Sequence, residues 1–84
     1  MLEIHNVFDA ALISAHTGKN PHILVIPHPT GGGCKVLFGF QGLPENYQHE
    51  NLKVARNLLQ KFDELNRLGI VTQKAFKEVE ANRG

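Results

Sequence analysis

One cysteine, Cys34, stands in 84 residues, so no internal disulfide can staple this chain and packing alone must hold it. No apolar run approaches the roughly 20 residues of a membrane-spanning helix, which excludes a transmembrane helix. Charge of either sign is not in excess: 9 Lys and Arg face 8 Asp and Glu, for a net +1. The first half carries only Lys19 and Lys35 against Glu3 and Asp9, and the second half intersperses both signs. No basic block therefore marks a nucleic-acid site. Met1 is followed by Glu3 and Asp9 rather than by a basic n-region, so no signal peptide is expected and the location reads as cytoplasmic and reducing. Internal repeats and low-complexity tracts are also missing.

What is present suits one small domain over residues 1–84. A composition of 42% hydrophobic and 20% charged residues is ordinary for a globular chain. Leu2 and Ile4 alternate with Glu3 and His5, as in a short strand. Asn6 can cap a helix with Asp9 in its first turn and Gly18 closing it. Val7, Phe8, Ala11, Leu12 and Ala15 fall on one face of that helix. Asn20 before Pro21 breaks the pattern. Two strands follow, 22–26 and 34–40, joined by a Gly-rich loop. Pro44 precedes the next helix. From about Asn46 to Leu68 the residues Leu52, Ala55, Leu58, Leu59, Phe62, Leu65 and Leu68 recur at helical spacing, predicting one long helix. Gly69 would end it, with Ile70 folding back on Leu65, and Thr72 would cap a last short helix bearing Phe76 and Val79. The expected fold is α/β of the α+β type: an antiparallel sheet of two or three strands with one long and two short helices, in the order β-α-β-β-α-α.

The segment LLQKFDELNRLGIVTQKAFKEVEAN, under a third of the chain, resembles the short C-terminal (SHOCT) helical-hairpin module at Leu58, Leu65, Leu68, Gly69, Ile70, Thr72 and Phe76. It departs from that pattern at Ala75, where the family carries an acidic residue, and in lacking a terminal Leu-Leu. The resemblance implies a turn at Gly69–Thr72 and a role in oligomerisation rather than chemistry.

The hairpin raises the functional question. With a loop at Pro29–Gly33, His28 would pair with Cys34, Ile26 with Val36 and Leu24 with Phe38 on one face, and Val25 and Ile23 would share the other with Leu37 and Gly39. Both faces are then apolar, unlike a hairpin half exposed to water. Either helices cover both faces, or another chain covers one.

Chemistry finds less footing. His28 and Cys34 could form a thiolate–imidazolium pair, but no third group orients the imidazole. His5, His16, His22, His28 and His49 lack the tight paired spacing of zinc ligands. His22 and His28 would stand roughly 20 Å apart along a strand. The loop PTGGGCK lacks the GxxxxGK[ST] spacing of a phosphate loop and joins two strands. No catalytic residue, metal ligand or cofactor is expected.

The function expected from the sequence is therefore non-catalytic: a protein–protein interaction module, adaptor or inhibitor, that binds another protein or itself as a homodimer through the hairpin. In size and style it is comparable to phage-encoded inhibitors of host defence enzymes. Phe38, Phe40 and Tyr47 are the candidate aromatic anchors, with Lys35 at the polar rim. The alternative is a nucleic-acid-binding protein using Lys53, Arg56 and Lys61 along the long helix.

Overall fold

The computed structural model describes residues 1–83. Strand β1 (Leu2–Ile4) leads into helix α1 (Val7–Thr17), then strands β2 (His22–Pro27) and β3 (Cys34–Phe40). A 3-10 turn at His49–Asn51 precedes helix α2 (Leu58–Arg83). The strands form one antiparallel sheet in the order β1-β3-β2. The architecture is thus small α+β, as the residue pattern predicts. The helix count is corrected: two α-helices are present among the described residues, not one long and two short.

Local chemistry explains α1. The Asn6 side-chain oxygen accepts from the amides of Phe8 at 2.8 Å and Asp9 at 3.2 Å. Its far end closes on Gly18, whose φ of 71° is left-handed and whose amide donates to Ser14 at 2.9 Å. Asn6→Ala should therefore cost about 1 kcal/mol of stability, read as a lower urea midpoint at unchanged slope. The buried set on α1 is Ala10, Ala11, Leu12, Ile13 and Ser14, wider than the stripe expected from spacing. The sheet core, α2 and the 3-10 segment all press on this helix, so burial wraps around it. Phe8 stays 46% exposed, its ring 6.3 Å from that of Phe62.

The second helix departs most from expectation. It starts at Leu58 rather than near Asn46, because residues 52–57 are not helical and Leu52 adopts an extended conformation. Asn46, Asn51, Val54 and Asn57 are poor helix formers. This stretch instead serves as a tie: Leu43, Tyr47 and Leu52 pack on the core, and His16 Nε2 donates to the Lys53 carbonyl. At the other end the helix does not stop at Gly69. It runs unbroken for 26 residues, and the Thr72 hydroxyl donates back to the Leu68 carbonyl at 2.7 Å instead of capping a new helix. The inward seam is Leu58, Phe62, Leu65, Gly69, Thr72 and Phe76, all buried or half-buried. Gly69 lies where α2 approaches the sheet, with Phe38 Cζ 4.0 Å from the place its Cβ would take. The long helix stretches the molecule to 45 × 25 × 17 Å. Its radius of gyration is 14.0 Å, against about 12 Å for a compact chain of this length.

Candidate interaction surface

The register of the hairpin decides which side chains share a face. Pro27 stands opposite Cys34, Ile26 opposite Lys35, Val25 opposite Val36, Leu24 opposite Leu37 and Ile23 opposite Phe38. The pairing is shifted by one residue from that expected, because the loop is Pro29–Gly32 and His28 pairs with Gly33, its amide donating at 3.1 Å. A slip of one residue exchanges the two faces of a strand. Val25 and Ile23, not Ile26 and Leu24, therefore share the face of Phe38. The run Gly31–Gly33, at φ of 77°, 83° and 122°, takes backbone angles that other residues resist and makes this shorter reversal accessible.

Leu2, Ile4, Phe38 and Phe40 form one core cluster with residues of both helices, and Ile23 and Val36 pack against it. The opposite face carries Glu3, Lys35, Leu37, Gly39, His22, Leu24 and Ile26, none of which joins that cluster. At its centre Leu37 is 1% exposed, across from Leu24. Around it, Ile26 is 46% and Met1 48% exposed. The core cluster thus takes in one face of the ribbon, and on the other the exposed apolar side chains are Ile26 and Met1, flanking buried Leu37 and half-buried Leu24. A second exposed apolar strip runs along α2 through Leu68, Val71 and Val79, with Glu64 and Arg67 beside its upper part.

The four candidate contact residues do not come together. Lys35 is exposed on the helix-free face beside Ile26. Phe38 and Phe40 are 3% and 0% exposed on the other face, so they are core and cannot anchor a partner without opening the fold. Tyr47 is half-buried and packs on the core from the connection before α2. The residues that form the apolar surface are Leu24, Ile26 and Met1. Register is the signal that identifies them, and spacing alone left it one step off.

The other candidates also find their places. Cys34 is buried and faces Pro27, so the expected His28–Cys34 pairing does not form. His49 lies 3.7 Å from Asp9, and no group of metal-ligating side chains assembles among the described residues. The Gly-rich loop is approached by Lys77 and Glu80 of α2, so charges of both signs line it. Lys53 and Arg56 are exposed in the non-helical connection, whereas Lys61 sits on α2, donates to Asn20 Oδ1 at 3.3 Å and lies 3.8 Å from Glu64. These three cations therefore do not line one helix face. No described helix is long and apolar enough to cross a membrane. Comparison with family models, with curated proteins and with solved structures finds no match to this chain.

Proposed function

We propose that this chain is a non-catalytic protein–protein interaction module, an adaptor or inhibitor, that associates with itself and with a larger partner through the helix-free side of its hairpin. The observation that carries this reading is the apolar surface of Leu24, Ile26 and Met1 on the sheet face away from both helices. Ile26 and Met1 are exposed on this face and Leu24 half-buried between them, with Glu3, His22 and Lys35 on the same face. Exposed apolar side chains among polar ones are common at association sites. The nucleic-acid reading has less support, since Lys61 is already held by Asn20 and Glu64.

Sedimentation of the pure protein over a wide concentration range tests the proposal. The native chain is expected to pass from monomer to dimer. Ile26→Lys, which sets a charge at the most exposed apolar residue of β2, is expected to weaken that step roughly tenfold or more while the melting curve hardly moves. A native chain that stays monomeric throughout would count against self-association, and an unaltered dimer in the variant would move the interface elsewhere.

A further inference from the structure

The self-association just proposed can be taken one step further, because the hydrogen-bond phase of β2 shows what its free edge offers. In an antiparallel ladder the backbone groups of successive residues turn alternately toward and away from the neighbouring strand. The bond from the His28 amide to the Gly33 carbonyl sets that phase. His22, Leu24 and Ile26 turn their N–H and C=O groups toward β3, and Ile23 and Val25 turn theirs outward. Pro27 falls in the outward phase, as does Pro21 just ahead of the strand, so the nitrogens without hydrogen sit where β3 loses nothing. The sheet ends at β2, and no other strand covers this edge among the described residues. The edge therefore presents free amides at Ile23 and Val25 alone, bracketed by prolines placed symmetrically about Leu24. The stretch Pro21-His22-Ile23-Leu24-Val25-Ile26-Pro27 reads almost alike in both directions. Its outer apolar side chains are still open, with Val25 39% and Ile26 46% exposed.

The geometry points to a second copy of this chain as the occupant: two β2 edges pair antiparallel about a twofold axis at Leu24 and join the two sheets into one. In that register Ile23 both donates to and accepts from the partner's Val25, and Val25 does the same with the partner's Ile23. Every outward amide between the prolines is then met. A register centred on Val25 instead sets the partner's Pro27 against Ile23 and leaves the Ile23 carbonyl without a donor. The prolines thus select one alignment and stop a longer foreign strand from zipping along the edge. On the helix-free face Leu24 meets the partner's Leu24 and Ile26 meets the partner's His22, while Ile23 meets the partner's Val25 on the other face. No like charges are brought face to face. This inference rests on the self-association reading and names its interface.

Chemical synthesis of the chain with N-methylvaline at position 25 removes one outward donor and keeps every side chain. Its dimer is expected to dissociate at least tenfold more readily, with the melting curve of the monomer little changed. In a Leu24→Cys variant, the non-hydrogen-bonded pair at the axis brings the two Cα atoms to about 4.5 Å, within disulfide reach. Air oxidation should then give a dimer bridged between the two introduced cysteines, mapped by peptide mass, whereas Val25→Cys should not bridge to its own copy. If the N-methylated chain does not fold, the cysteine pair decides alone. A native dimer that survives N-methylation and gives no such bridge overturns the edge pairing and leaves self-association standing. A native chain that is monomeric at every concentration overturns both.

Discussion

Phe40→Ala is expected to lower the unfolding free energy by about 3–5 kcal/mol. Phe40 is 0% exposed, pairs across the sheet with Leu2 and belongs to the cluster that joins both helices to the strands. Truncating it forfeits the transfer of a whole ring out of water and leaves a cavity that neighbours anchored on three elements cannot close. A chain of this length has about 4–13 kcal/mol of stability in all, so the variant forfeits from about a quarter of it to the whole. Phe40→Leu, which keeps most of the volume, gives a foldable second point and a smaller loss. Leu59→Ala supplies the contrast: helical spacing puts Leu59 in the core, yet it is 82% exposed. Its replacement should change stability by no more than about 0.5 kcal/mol. Urea titrations followed by circular dichroism decide both, and a Leu59 effect rivalling that of Phe40 would contradict the packing described above.

The second large effect is at Gly69, where two substitutions should move stability in opposite directions. A glycine inside an α-helix costs about 1 kcal/mol relative to alanine, and Gly69 sits in the middle of α2. The alanine methyl would meet Phe38 Cζ at 4.0 Å, an ordinary contact. Gly69→Ala should therefore raise the melting temperature by roughly 4–8 °C. Gly69→Pro removes the amide that bonds back to the Leu65 carbonyl and drives the ring into that turn, costing about 3 kcal/mol or more. Were the chain to reverse at Gly69 in a left-handed conformation, alanine would destabilise it. The sign of the alanine effect thus separates a continuous helix from a helical hairpin.

The departures at Gly69 and in the hairpin register have a common origin. Gly69, Ile70 and Thr72 carry a sound local stop signal, since glycine favours the position after a helix end and threonine the cap of the next. Local preference there amounts to about 1 kcal/mol. Seating Leu65, Gly69, Thr72 and Phe76 in one seam outweighs it, with Gly69 facing Phe38 at ordinary contact distance. In the hairpin, Pro29 and the glycine run announce a reversal but not its length, and a difference of one residue exchanged Leu24 and Ile26 with Ile23 and Val25. Lys35 is exposed beside Ile26 on the face opposite Phe38. Phe38 and Phe40 are marked by the same aromatic logic that marks interface anchors, and hydrophobicity does not tell the core from a contact surface.

By itself the sequence determined the class of fold: an Asn6-capped first helix ending at Gly18, a glycine-linked hairpin, and an amphipathic helix after it, all governed by interactions between residues close along the chain. Only the tertiary structure decided how far α2 runs, which face of the hairpin it covers, and that the apolar remainder is Leu24, Ile26 and Met1. The reason is that pairing register and helix extent are set by contacts between distant segments, where small local preferences yield to the burial of a shared core.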